Sequence, residues 1–401
     1  MALSREACQM HLLNSGAMAQ VCPPTGSPHP VLLLLLPEPS VHTSARDRLL
    51  AHVSAIDSSL RASAVELPPS WALATTSLRA ATLPSVVSAG VADLADLVHL
   101  YREEHTLRSV GVIGWDLGGL IAAKALESST LFGAAAAVCS PIGSSLWQLN
   151  YALDFGALAE VLFPRALFGA NDTAATARRL RQAPTRLSEL HRLAGTPVAD
   201  PLGELPAHDA SAPADDEDES MSREALMGAA ADAAARLLAD AARWQRAFGH
   251  AYDNTATRYG GAADGAVDAA VARYASDGGA VRALRDALDT DGNLRAPLVA
   301  VHSRAALLAP FWHTSAYAVK ARARGAASLF SVVDGNRSGA CGLERGVLAR
   351  AVGQLQAHID PRPVETRAMR VRRRRLAETA AALEARHRLS FGGPDWSSMG
   401  I

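Results

Sequence analysis

The segment Ser109-Val-Gly-Val-Ile-Gly114-Trp115-Asp116-Leu117-Gly118-Gly119-Leu-Ile-Ala constrains this chain more than any other. Val110 to Ile113 is a short apolar run of strand type, and Leu117 to Leu126 carries good helix formers, so a strand must reverse into a helix across Gly114 to Gly119. A turn that tight brings the two backbones into contact and needs residues without side chains on either side of its apex. The apex residue, Asp116, is then held at the helix N-terminus. A strand feeding directly into a helix is half of a βαβ unit, so the same rhythm is expected elsewhere in the chain.

It recurs. Val31 to Leu36 is apolar on both faces and stopped by Pro37 and Pro39, as expected of a central parallel strand. Ser44 to Ile56 follows as a helix with Leu49, Leu50, Val53 and Ile56 at helical spacing. Ala62 to Leu67 reads as a strand closed by Pro68-Pro69, Val86 to Tyr101 as a helix, and Phe132 to Val138 as a strand ending at Ser140-Pro141. Between about 145 and 293 the rhythm stops, and only helical segments are predicted: Leu146 to Leu162, Thr173 to Leu193, Met221 to Phe248 and Ala262 to Leu288. Strands then return at Pro297 to Val301 and Leu329 to Val333, with helices at Ser315 to Arg324 and Leu343 to His358. The expected architecture is an α/β fold with a mostly parallel central sheet flanked by helices. Its parts are an N-terminal extension (1–29), a core in two pieces (30–145 and 295–360), a helical insertion (146–294) and a basic helical tail (361–401). The stretch 207–220, with Asp215 to Glu219, reads as a solvated acidic loop, and Arg370 to Arg375 as a solvated helix face.

Composition removes several function classes. Lys plus Arg is 39 and Asp plus Glu 40, a net charge of −1, whereas a nucleic-acid binder is usually strongly basic. The longest Val/Leu run, Val31 to Leu36, is far short of the ~20 residues that span a bilayer. Cys8, Cys22, Cys139 and Cys341 form no CxxC pair and have no His at zinc spacing, so neither a disulfide framework nor a metal site is expected. Cys341 reads as a packed thiol. With no continuous apolar stretch in the first twenty residues, the expected setting is the reduced cytoplasm. No cofactor is implied.

Strand, glycine-flanked apex and helix resemble the nucleophile elbow of the α/β-hydrolase superfamily. The stretches Ala137 to Trp147, Val271 to Ser276 and Pro310 to Tyr317 are similar to serine α/β-hydrolases with a long helical lid. The resemblance implies a Ser-His-Asp triad, and at each of its positions this chain departs. Asp116 stands where the elbow serine belongs. The acid of a stretch like HTxxDxLVP falls on Ala306, within His302-Ser-Arg-Ala-Ala306-Leu-Leu-Ala-Pro310. The histidine of a pattern like DRxGHCxF falls on Ala340, within Asn336-Arg-Ser-Gly-Ala340-Cys-Gly-Leu343. The His-Gly turn that helps build the oxyanion hole is replaced by Leu36-Pro37-Glu38-Pro39, and proline removes a backbone donor.

Serine hydrolysis needs a hydroxyl, a base and a group that orients the base, and none stands at its expected position. An elbow aspartate can instead attack carbon directly, as in the haloalkane dehalogenases and epoxide hydrolases that the resemblance also brings in. It is ionised at neutral pH and favoured by the helix N-terminus. Hydrolysis of the resulting ester still needs a base. His302 and His313 are the candidates in this half of the fold, and both read more simply as structural hydrogen-bonding residues. Those families place Trp after the aspartate; here Trp115 precedes it and Leu117 follows. Trp147 and Trp312 line a pocket or pack in the core. Three functions remain: a non-catalytic relative binding a small apolar molecule at Asp116, Trp115, Leu117, Leu36, Pro37, His302 and Trp312; a hydrolase with Asp116 as nucleophile on an epoxide or alkyl halide; or a protein-interaction scaffold.

Overall fold

The computed structural model describes residues 8–24, 31–36, 45–62, 65, 67–68, 70–77, 82–164, 172–194, 223–259, 265–335, 341, 343 and 346–359. The acidic stretch 207–220, Pro37 and Ala340 lie outside them. So does the basic tail, which falls in the second of two units, Met1–Ile359 and Asp360–Ile401.

Among the described residues the strands are β1 (Gln9–Leu12), β2 (Met18–Cys22), β3 (Val31–Leu36), β4 (Trp71–Thr76), β5 (Ser109–Trp115), β6 (Ala134–Val138), β7 (Leu298–Ser303) and β8 (Phe330–Gly335). They form one sheet in the order β1-β2-β4-β3-β5-β6-β7-β8. β1 and β2 pair antiparallel with their neighbours, and every pairing from β4 through β3 to β8 is parallel. The helices are α1 (Ala45–Ala62), α2 (Val86–Glu104), α3 (Leu117–Ser128), α4 (Ser145–Leu162), α5 (Thr173–Arg181), α6 (Pro184–Leu193), α7 (Arg223–Phe248), α8 (Gly265–Ala270), α9 (Gly278–Leu288), α10 (Trp312–Ala323) and α11 (Val347–Ile359).

Side-chain alternation along the strands explains the two layers. Leu32, Leu34 and Leu36 join the core under α2, α3, α10 and the helical insertion, while Val31, Leu33 and Leu35 join the core under α1 and α11. All six side chains are buried. At roughly 1.5–3 kcal/mol for each buried Leu, a strand so placed can occupy only the middle of a covered sheet. Helix α2 is long and apolar enough to cross a membrane by length and composition, yet Val87, Leu94, Leu97 and Val98 are buried in the sheet-face core.

The structure corrects the sequence reading in four places. The first is the N-terminal extension, which holds the β1–β2 hairpin and extends the sheet beyond β4. Second, Ala62 ends α1 and is not the start of a strand; the strand follows the prolines, at Trp71–Thr76, where a run of fully buried side chains continues the sheet. Third, the stretch from Thr173 to Leu193 is two helices, because Pro184 cannot continue α5 but suits the first turn of α6. Likewise Asp277, accepting from the Ala280 N–H at 2.8 Å, caps a fresh helix within the run from Ala262 to Leu288.

The fourth correction concerns sulfur. Cys8 is bonded to Cys22 and Cys139 to Cys341, with Cα–Cα distances of 4.1 and 5.6 Å, and no cysteine is free. Sequence spacing hid both pairs. The hairpin register Gln9↔Val21 brings the first pair together, and the sheet brings the second together across 202 residues. Disulfides persist in oxidising compartments, so the cysteines no longer support a reduced cytoplasmic setting.

Candidate active site

Asp116 sits between β5 and α3 with φ 50° and ψ −121°, one of two non-glycine residues with positive φ among those described. That backbone region suits glycine and costs other residues on the order of 1–3 kcal/mol, so the surroundings must impose it. The constraints are visible on both sides. The Asp116 N–H donates to Val138 O at 2.9 Å, and its carbonyl accepts from the N–H groups of Gly119 and Leu120 at 3.0 and 3.2 Å. A Cβ on Gly114 would overlap the Gly118 carbonyl, and one on Gly119 would lie 2.8 Å from both Gly114 O and Ser140 Cβ. The close backbone approach inferred from the glycines is therefore real. Asp116 is half-buried at the apex, and Leu117 is buried behind it.

The sheet register gathers part of the expected site. Leu36 pairs with Gly114, and Trp115 with Val138, so both flank the elbow. Pro37 and Ala340 lie outside the described residues, though Cys341 is held beside the end of β6 by its bond to Cys139. Ala306 is buried in the turn after β7, its N–H donating to Ser303 O at 3.2 Å.

That turn is anchored by consecutive carbonyls, a feature the sequence did not reveal. Leu307 O accepts from the Tyr151 hydroxyl at 2.7 Å, Leu308 O from Gln148 Nε2 at 2.8 Å, and Ala309 O from His302 Nε2 at 2.5 Å. His313 completes the set. Its Nδ1 accepts from the Gly143 N–H at 3.0 Å, leaving the proton on Nε2 to donate to Gln148 Oε1 at 2.8 Å. Burial holds His302 neutral, its pKa lowered to about 4, and pushes His313 well below the ordinary imidazole value. Both histidines thus have the hydrogen-bonding role read from the sequence.

Trp312, at the start of α10, stacks on His313 and meets Trp147 edge-on at 5.6 Å between centroids. Trp147 is 58% exposed, so the pair stands at the surface where α4 and α10 begin and not in the core. Sequence reasoning also missed Ser140. It is buried against Gly119, and its hydroxyl has no hydrogen-bond partner among the described residues. Its place at the end of an apolar strand, just before Pro141, was the available signal.

No family model matches this sequence, and no curated protein matches it. Solved structures that this chain matches include an esterase from Pyrococcus furiosus, at 10% identity and TM-score 0.41, covering 87% of this chain and 89% of that one. A puromycin hydrolase is 14% identical with TM-score 0.41, over 88% of this chain and 39% of its own. A puromycin-hydrolyzing peptidase from Mycobacterium tuberculosis is 10% identical with TM-score 0.43, over 90% and 40%. This chain spans about two fifths of the length of those last two proteins. The fold rests on internal geometry and not on these overlaps: the strand order, antiparallel only at the β1–β2 end, and a strained glycine-flanked elbow after β5. The chain has the α/β-hydrolase fold.

Proposed function

We propose that this protein is an α/β-hydrolase relative whose serine triad is vacated, with Asp116, Ala306 and Ala340 at the nucleophile, acid and base positions, and that it binds a small apolar molecule at the elbow. The observation that carries the reading is the elbow itself. Its strained geometry is kept, but its apex bears a carboxylate in place of a hydroxyl. The buried Ala306 in the turn after β7 fits the acid position, and the Cys139–Cys341 bond holds Cys341 beside the end of β6.

A second reading, Asp116 as a nucleophile on an alkyl halide or epoxide, draws on the same strain, which is costly to retain at a residue with no task. Its second step needs a base, and the position where the family carries that histidine is Ala340 in this sequence. His302 is a poor base, since its Nε2 is engaged by Ala309 O and burial disfavours its protonated form.

Rebuilding the triad tests the first reading. Asp116→Ser alone should be inactive on a short-chain aryl ester. Adding Ala340→His and Ala306→Asp should raise kcat/KM by ~10²–10⁴-fold, the usual worth of general-base catalysis. If the single and triple variants fold and are equally inactive, positions 306 and 340 are not the vacated ones and the reading fails. Intact-mass measurement after exposure to an alkyl halide separates the second reading, which requires a stable ester on the peptide containing Asp116.

A further inference from the structure

The two disulfides differ in what they join. Cys8–Cys22 closes a hairpin whose adjacent residues, Gln9 and Val21, already pair in the sheet. Cys139–Cys341 joins the end of β6 to the connection between β8 and α11, across the intervening strand β7. It also touches the elbow. Cys139, at φ 44°, is the second non-glycine residue with positive φ among those described, and the first is Asp116. One peptide unit links them: the Asp116 N–H donates to Val138 O, and the next N–H, that of Cys139, donates to Val301 O at 2.7 Å. Trp115, paired with Val138, packs on the same core cluster as Cys139 and Cys341.

We propose that Cys139–Cys341 is a thiol-exchange site that couples the redox environment to the shape of the elbow. The co-reactant is a small thiol or an exposed dithiol. Its thiolate attacks the half-buried Cys341 sulfur, forming a mixed disulfide, and the electron pair of the broken bond leaves on the Cys139 sulfur, which takes a proton from water. A second thiol attacks the mixed disulfide and frees Cys341. The cystine is reduced to two thiols as two external thiols are oxidised to one disulfide. Once open, the Cys139 thiol has an acceptor in place, the Cys341 carbonyl 3.4 Å from its sulfur, so the reduced state is accommodated without unfolding. Reduced Cys8 and Cys22 would stay opposed by the hairpin ladder and reclose; Cys341 lies in no strand among the described residues, so no such ladder returns it. The proposal holds whichever role Asp116 has.

The test uses the whole chain with reduced glutathione under native conditions, pulse alkylation mapped by mass spectrometry, and tryptophan emission read alongside circular dichroism. Cys139 and Cys341 should alkylate while Cys8 and Cys22 remain bridged and the circular dichroism stays constant. Emission should shift, the shift should vanish in Trp115→Phe, and the double variant Cys139→Ser/Cys341→Ser should show the reduced wild-type spectrum. If that variant does not fold, the wild-type alkylation and the Trp115→Phe control decide alone. The proposal is overturned if all four cysteines open together with loss of circular dichroism. It is equally overturned if the pair opens and the Trp115 signal does not move.

Discussion

At the scale of single residues, the elbow holds a contradiction between comfort and position. Glycine is the residue that φ 50°, ψ −121° favours, and aspartate is what occupies it. Asp116→Gly removes strain of about 1–3 kcal/mol and adds unfolded-state entropy worth about 0.5–1 kcal/mol. The variant should therefore be more stable than the parent by about 1 kcal/mol in urea unfolding. A loss of stability instead would mean that the carboxylate is held by interactions stronger than the strain. A second residue-scale expectation concerns His191, buried beside Phe155 with its pKa lowered to about 4. The unfolded chain binds this proton below about pH 6.5 and the native protein does not, so stability is full above that value and falls as pH drops toward 4. Between pH 7.5 and 5.5, wild type should lose about 1.4 kcal/mol more than His191→Leu does. Equal losses would show that the imidazole is protonated in the fold.

At the scale of elements, a buried carboxylate ties the insertion's exit to the sheet layer. Glu127, near the end of α3, accepts from the N–H groups of Asp291 and Gly292 at 3.1 and 2.7 Å and from the Tyr317 hydroxyl of α10 at 3.0 Å, with Lys124 Nζ 3.6 Å away. Burial raises its pKa, the hydrogen bonds and Lys124 oppose that rise, and Tyr317 is in turn pushed upward by burial and by the carboxylate. Glu127→Ala strands these buried donors and should cost about 3–5 kcal/mol by denaturant unfolding, with Glu127→Gln costing less. A cost below about 1 kcal/mol for the alanine variant would mean that water replaces the carboxylate. Lys124 is the one local partner; the groups that donate hydrogen bonds to Glu127 lie 164 to 190 positions away, and nothing in the local sequence marks it for them. By contrast, the ends of α5 and α9 were written locally, in Pro184 and Asp277, and were misread only because apolar spacing ran on across them.

At the scale of the whole molecule, the titrations compete. Depressed histidines His191 and His302 withdraw stability below about pH 6.5, whereas Glu127 and Asp154, raised by burial, add stability in acid and lose it as pH rises through their folded values. Asp154 accepts from the hydroxyls of Tyr252 (2.7 Å) and Tyr259, so α4 is linked to the segment after α7. Tyr252→Phe/Tyr259→Phe leaves that carboxylate with less support. The double variant's loss of stability relative to wild type should be larger at pH 8 than in acid below the folded value of Asp154, where the protonated carboxyl needs fewer donors. An equal cost at both pH values would place Asp154 in solvent.

The sequence alone determined the layered α/β rhythm, the covered central strand Val31–Leu36, the helical interruption before β7 and the elbow around Asp116. Each is a local matter: side-chain alternation, helical spacing, and glycines where two backbones touch. What the tertiary structure decided was everything set by residues distant in the chain. The sheet drew the first hairpin to its edge, paired four cysteines that no spacing linked, and placed Tyr151, Gln148 and His302 on three successive carbonyls of the turn that holds Ala306. Periodicity reports which face of an element is buried, but not which distant atom will meet it there, because that contact exists only after the layers close.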